Sequence, residues 1–468
     1  ALVVIVAALA FMLLGEPSSL AATHLVFALA VLPLVFAAIA HFVPVLTRSA
    51  GAPRGIWLAP LLLQMSGVLV CLHFYGAVGT SMLNLAAVVS LLLALAFAGW
   101  LWGRARSSLG KPHPGWRWYL SSIVFLVFGL GLVPAMHYWP AERQALRLLH
   151  LHLNTLGFIG LTAIGTLQVL LPTILSGPDT DAATRLRRDL PVAVAGVLLV
   201  GLGAAFCLPL SVVGTGFLFY IACRPGLAWL SRYGLPAIIA DGASAGLAAS
   251  LCGFLLLLAF GVAHALGLLE GRNAIPAFMA AFLLPLVSGA LSQLLPVWRY
   301  PGRRTPERDQ AREVLVKRGA MRALLFICGG VLLALGHDEG LWLTALGLFR
   351  SVRIVDVGQA NVDTHDVIIT VEEAPVTTVG YGAGLQGGQR LRTVEETGAV
   401  EETIEFAARG FFEAGRRNLW GKNRAVSLFL RASGRPRDYP GDPERDGSGL
   451  ALNEYRVLGT WREPRALL

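Results

Sequence analysis

Two solvent rules are written along this chain, and they change over within residues 341–355, LWLTALGLFRSVRIV. Upstream, hydrophobic positions come in long, nearly unbroken runs at about 1–15, 22–46, 55–77, 82–103, 116–138, 148–176, 190–211, 213–231, 236–268, 275–297 and 319–336. Each reaches or approaches the ~20 residues that a helix needs to cross a ~30 Å hydrocarbon core. A twelfth run starts at Gly340 and stops after about nine residues, where alternation begins, so the pattern predicts 11 to 12 helices, the last cut short. Downstream, apolar and polar positions alternate, the period of strands. FRSVRIVDV and HDVIITVEEAP predict two short strands, the second ended by Pro375, and VTTVGYGAGLQGG predicts a glycine-rich one. RAVSLFLRAS sets Val426, Leu428 and Leu430 on one face and Ser427, Phe429 and Arg431 on the other. NEYRVLGTWREP sets Tyr455, Val457, Gly459 and Trp461 on one face. The acidic stretch 394–405 predicts a solvated loop, and poor order is expected at 389–408 and 434–450. Strands of about ten residues, apolar on one face and joined by alternating short and long connections, are the pattern of a transmembrane β-barrel.

Composition agrees with the upstream pattern. The chain has 468 residues, 55% hydrophobic and 14% charged, and a mean hydropathy of +0.64, which places it among membrane proteins. Its net charge of +9 does not indicate nucleic acid, because the arginines lie in short loops between apolar runs. Arg48 and Arg54 follow the second run, Arg104, Arg106, Lys111 and Arg117 the fourth, Arg185, Arg187 and Arg188 the sixth. Arg299, Arg303, Arg304, Arg308, Arg312, Lys317 and Arg318 follow the tenth. The positive-inside rule puts these loops in the cytoplasm. Cys71, Cys207, Cys223, Cys252 and Cys328 all lie in apolar runs without a CxxC partner, which predicts buried small hydrophobes rather than disulfides or metal ligands. Residue 1 is Ala within an apolar run, so the true N-terminus is expected upstream.

The even runs repeat. HFVPVLTR, VLLPTILSG and QLLPVWRYPG end the second, sixth and tenth, with Pro44, Pro172 and Pro296 spaced 128 and 124 residues apart. Seven residues before each proline stands a small residue, Ala37, Gly165 or Gly289, suited to close helix approach. Twenty residues before the first two prolines stand His24 and His152; the third copy has Pro276 there. Three four-helix units imply a bundle with pseudo-threefold symmetry. His24, His73, His137, His150, His152 and His264 all fall toward the outer ends of their helices. Such residues either rest at the interface with their polar tips in water or mark a functional site, and imidazole is a common axial ligand of haem iron. His24 and His152, matched in depth, carry the second reading furthest. His41, His113, His337 and His365 are read as ordinary interface or loop histidines, and Asp241 as a helix-start acid, with a proton-path residue as the alternative.

With HLHLNTLGFIGLTAIGTLQVLLP in its sixth helix, residues 1–348 resemble the haem-copper oxidase subunit I superfamily, and more narrowly its NnrS-like relatives. That resemblance implies an inner-membrane bundle with a b-type haem or metal site using His24 and His150 or His152. Two departures count against an oxygen-reducing centre. The superfamily has histidines in its tenth helix and a His-His pair in its seventh, where this chain has Pro276 and a histidine-free run at 190–211. No complete haem-copper site, and so no enzymatic role, is assigned.

The downstream part resembles a different family. TVEEAPVTTVGYGAGLQGGQRLR, RGFFEAGRRNLWGKNRAVSLFLRAS and LNEYRVLGTWREPRALL are similar to the outer-membrane assembly factors BamA and TamA, of the bacterial surface antigen type. The resemblance implies the end of a periplasmic POTRA domain at 349–375, then the first, roughly three strands of an incomplete barrel at 376–468. It implies unfolded outer-membrane proteins as partners, strand addition at an open edge, no cofactor and no bond chemistry. Arg409, Gly410, Phe411, Phe412, Asn418 and Trp420 fall in the matching motif as packing residues. A barrel needs about eight or more strands to close, and helical bundles and barrels occupy different membranes, so the chain reads as chimeric or truncated, two coding sequences joined at ALGLF; the rival reading is a real fusion in which the bundle, after eleven crossings, tethers a periplasmic POTRA remnant. Three functions stay open: a non-enzymatic barrel-assembly fragment, a haem- or metal-binding bundle, and a structural bundle without a prosthetic group.

Overall fold

A computed structural model of the chain describes residues 20–108, 110–177, 179–348, 377–393, 400–419, 424–436 and 450–462. The first apolar run and the two strands expected within 349–375 lie outside them. The chain divides near residue 350 into a helical unit and a strand unit.

Nine helices among the described residues are long and apolar enough to cross a membrane. They are α1 (Leu20–Leu46), α2 (Arg54–Phe74), α3 (Thr80–Arg106), α4 (Gly115–Tyr138), α5 (Pro140–Ile174), α6 (Ala182–Phe206), α7 (Leu208–Tyr233), α9 (Gly242–Ala265) and α10 (Gly271–Arg299). Shorter helices are α8 (Leu235–Ala240), α11 (Pro306–Val316), α12 (Gly319–Ala334) and α13 (Glu339–Leu348). Burial sorts the nine. In their most apolar windows α1, α5 and α10 are 56%, 78% and 67% buried, whereas none of the other six exceeds 44%. The first three therefore form the centre, and the six around them turn side chains such as Leu61, Met65, Leu92 and Phe128 outward, as a lipid solvent allows.

The three central helices share a backbone irregularity. Each contains a π-helical segment, Leu25–Val31 in α1, Leu153–Gly160 in α5 and Met279–Leu283 in α10. Pro33 and Pro285 follow the first and third by two residues. Proline has no N–H for the carbonyl four residues back and its ring crowds that turn, so the wider turn relieves the clash and leaves backbone exposed. Glycines of neighbouring helices cover it. A Cβ on Gly67 of α2 would stand 2.7 Å from the Ala28 carbonyl oxygen, and one on Gly253 of α9 would overlap the Ala281 carbonyl. Ala281 lies four residues before Pro285, so this is the carbonyl that proline frees. In α5 the neighbour is an aromatic ring, Phe125 against Gly157. Gly165 and Gly289, the small residues ahead of Pro172 and Pro296, are also close-packed, on Trp118 and on Gly246.

Polar locks fasten the end of the bundle that carries the arginine-rich loops. Buried Arg185 donates to Gln168 Oε1 (2.7 Å) and pairs with Asp179 (2.6 Å). Arg312 of α11 repeats the arrangement with Gln293 (2.8 Å) and Asp241 (2.6 Å). Asp189 is 2% exposed and is held by Arg224. Trp118 Nε1–H donates to the Leu186 carbonyl (2.8 Å), and the Tyr233 hydroxyl to the Gly177 carbonyl (2.7 Å). The 107–114 connection is tied to the end of α1 by the His113 N–H to Leu46 carbonyl bond (2.9 Å) and by Ser108 Oγ to the Thr47 carbonyl (2.7 Å). Burial, then the nearby Arg187 guanidinium, pushes the His113 imidazole below the usual histidine range.

Several expectations are corrected. The run 236–268 is interrupted at Asp241, which is the N-cap of α9 and accepts from the Ala243 and Ser244 amides (2.9 and 3.2 Å). The charged stretch after the tenth run is partly helical, because Thr305 caps α11, Pro306 suits its first turn, and Glu307 and Asp309 favour its N-terminus. All five cysteines are free thiols, but only Cys71 is buried; Cys207, Cys252 and Cys328 face outward. In a bilayer an apolar run has two faces to satisfy, so an apolar neighbourhood in sequence does not imply the core.

The strand unit is an antiparallel meander, β1 (Thr377–Thr393), β2 (Val400–Leu419), β3 (Arg424–Pro436) and β4 (Leu450–Arg462), in that order. Four strands stand where about three were expected. β1 and β2 also occupy 389–393 and 400–408, so half of the expected solvated loop, 400–405, is paired backbone, and 394–399 lie outside the described residues. The register aligns Tyr381, Phe412, Leu430 and Val457 across all four strands. Val379, Ala414, Leu428 and Gly459 make the next row, and Val426 pairs with Trp461 in the row beyond. That face is apolar apart from Thr377 and Arg416, which stand in the last of these rows. The opposite face carries Glu413, Arg409, Arg431 and Glu454, with Glu454 3.5 Å from Arg409 and 3.7 Å from Arg431. Phe411 lies over Gly382, which has no side chain to obstruct the ring, and stacks on Phe429 at 6.2 Å.

Gly253→Val should destabilise the bundle by at least the 1–3 kcal/mol, roughly, of an overpacked core. Gly261→Val in the same helix, where a Cβ meets nothing within 4 Å, should be neutral; thermal unfolding in detergent separates them. The His113 imidazole is depressed on folding, so its contribution to stability is complete above the ordinary histidine pKa of about 6.5 and is lost as pH falls toward the folded value. His113→Gln should flatten the stability-against-pH slope below about 6.5.

Candidate functional site

At the other end of the bundle, four helix ends carry imidazoles. His24 opens α1 and stacks on Phe74 at the end of α2, ring centroids 4.3 Å apart and planes 24° from parallel. His73 meets the same Phe74 edge-on at 5.2 Å. His150 lies in the first turns of α5, against α4. His24 and His73 thus share Phe74. His150 turns toward α4, where its Nδ1 meets the Gly129 carbonyl, and His152 toward Gly201 of α6. Residues two apart on a helix point to different sides, so the two histidines of α5 have separate neighbours.

The ring nitrogens are committed in one direction. His24 Nδ1 lies 2.8 Å from the Leu20 carbonyl, His150 Nδ1 2.8 Å from the Gly129 carbonyl and His152 Nδ1 2.8 Å from the Leu148 carbonyl. His73 and His264 do the same with Val78 (3.1 Å) and Leu269 (2.9 Å). A carbonyl only accepts, so Nδ1 carries the proton and Nε2 keeps its lone pair. Metal-bound imidazoles are held by this kind of outer bond, which fixes ring orientation and raises the basicity of the other nitrogen. Asn154, whose amide donates to the His150 carbonyl (2.7 Å), secures the α5 backbone there. Gly129 leaves room for the Asn154 side chain, since a Cβ would stand 2.6 Å from its amide nitrogen.

Among the described residues, no three His, Cys, Asp or Glu side chains converge as they do around a metal ion. A haem would need only axial imidazoles, and His24 and His150 each have Nδ1 tied to a backbone carbonyl and Nε2 free.

The opposite end holds a polar feature that sequence reading missed. A cavity of about 310 Å³ is lined by His113, Gln168, Thr173, Ser176 and Asp179 among others. Gln168 is 1% exposed, and its Nε2 has no hydrogen-bond partner. The signal was the glutamine shortly before each of Pro172 and Pro296, visible in TLQVLLP and LSQLLP.

Comparison with protein-family models, with curated proteins and with solved structures finds no match to this chain.

Proposed function

We propose that the helical unit is an inner-membrane protein that binds a b-type haem through His24 and His150 near the outer ends of α1 and α5. The observation that carries this is a histidine at the same end of two central helices, each with Nδ1 bonded to a backbone carbonyl and Nε2 left free to ligate. Bound haem supplies one-electron chemistry at a potential set by its axial ligands and their outer bonds. The chain's own residues hold the rings, through Leu20 and Gly129, and shield one ring with Phe74. The π segments of α1, α5 and α10, at comparable distances before Pro44, Pro172 and Pro296, support a threefold repeat of four-helix units whose third copy has lost the histidine to Pro276.

The strand unit carries a second reading. One face is a mainly apolar and aromatic band with Arg416 at one end, and the other mixes charged residues and glycines with Phe411, Phe429 and Leu458, an asymmetry expected of a barrel wall between lipid and lumen. With the motif resemblance, this supports an outer-membrane assembly factor of the BamA and TamA type, with unfolded outer-membrane proteins as partners. On these two readings the chain joins an inner-membrane and an outer-membrane coding sequence within 341–355.

A pyridine haemochrome assay on the purified chain should give a b-type spectrum. His24→Ala or His150→Ala should remove most of the haem, and His152→Ala should retain it. A chain purified from haem-replete cells with no haem sinks the haem reading. Amplification of source DNA across the codons for 341–355 should give no continuous product; a continuous one overturns the joining.

A further inference from the structure

Where α3 ends and α4 begins, at the membrane face of the arginine-rich loops, aromatic and cationic groups alternate around a cavity of about 430 Å³. The Arg106 guanidinium lies over the Trp102 ring at 5.0 Å, and Arg117 over Trp116 at 5.6 Å. The two indoles meet edge to face at 5.8 Å. Leu120 and Leu190 add apolar wall, and Ser121 a hydroxyl. No carboxylate lines the cavity, and among the described residues neither arginine has an ion-pair partner. Trp116 and Arg117 also occupy the first turn of the 24-residue α4, whose exposed amides favour negative charge.

We propose that this cavity is a binding site for the headgroup of an anionic phospholipid. Arg106 and Arg117 grip the phosphodiester, the indoles sit at headgroup depth, and Leu120 and Leu190 receive the start of an acyl chain. Charge complementarity selects an anion, since the only formal charges on the walls are positive. The apolar half of the lining selects a lipid over a free ion, because inorganic phosphate would leave the indole and leucine surfaces unused. Tryptophan at both membrane interfaces and basic pockets between helices on the cytoplasmic side are the general forms of each element.

The test is native mass spectrometry of the full chain in detergent, titrated with phosphatidylglycerol, phosphatidylcholine or inorganic phosphate. Phosphatidylglycerol should be retained and phosphatidylcholine lost. The double variant Arg106→Gln/Arg117→Gln should weaken retention about thirtyfold, the equivalent of about 1 kcal/mol for each near-surface arginine. Arg303→Gln/Lys317→Gln, with the same charge change on the same face, should leave it unchanged. Equal weakening in the two variants, equal retention of the two lipids, or displacement of the lipid by inorganic phosphate would each overturn the proposal. Should the first variant not fold, phosphatidylglycerol brominated near the glycerol must quench the tryptophan fluorescence of the unaltered chain more than brominated phosphatidylcholine does. Equal quenching overturns the proposal as well.

Discussion

The bundle depends on glycines placed where its central helices widen. A turn that breaks the regular hydrogen-bond ladder exposes a carbonyl, and in hydrocarbon no water is present to satisfy it. At Ala28 and Ala281 a neighbouring helix presents Gly67 or Gly253 at near-contact distance, so the carbonyl is covered by Cα–H and backbone instead of by lipid. Removing one side-chain atom from the neighbour is what allows the irregular turn. The turn in turn sets the direction of everything N-terminal to it, including His24. Packing at one depth and imidazole orientation at another are therefore one arrangement.

This explains what was legible in the sequence and what was not. Depth along a helix can be read from distance to a landmark such as Pro44 or Pro172, and His24 and His152 each stand directly ahead of a π segment. Direction around the helix could not be read, because each π segment inserts extra residues and shifts the 3.6-residue pattern. Matching in depth sets His24 beside His152 in the repeat but does not say which neighbours a ring meets: His24 stacks on Phe74, and His150 bonds to the Gly129 carbonyl. Cysteines were misjudged for a related reason. Hydropathy describes how apolar a run is, and α3 is among the most apolar helices although its window is only 28% buried. The short α11 was hidden by its charge, although Thr305 and Pro306 mark its start plainly.

In the strand unit the face assignments of β3 and β4 followed from alternation alone, since period two leaves no freedom about direction. Val426, Leu428 and Leu430 do share a face with Tyr455, Val457 and Trp461. Strand extent was harder. The acidic segment around Glu401 and Glu405 was read as loop because charge suggests solvent, yet its backbone is paired with β1. Charge fixes what one face of a strand meets and says little about whether its amides find partners.

The division between three central and six peripheral helices has a consequence for how the protein meets its membrane. The central helices α5 and α10 span 35 and 29 residues, whereas the peripheral ones run from 21 to 27. Only a helix in contact with acyl chains must match its apolar length to bilayer thickness, at a cost of fractions of a kcal/mol per ångström of mismatch. The outer ring is held near the span of a typical bilayer, about 30 Å. The inner trio is released from that limit and can extend beyond it, as α5 does with its polar opening turns. A thicker or thinner membrane would therefore tilt the ring first and reach the centre only through the ring.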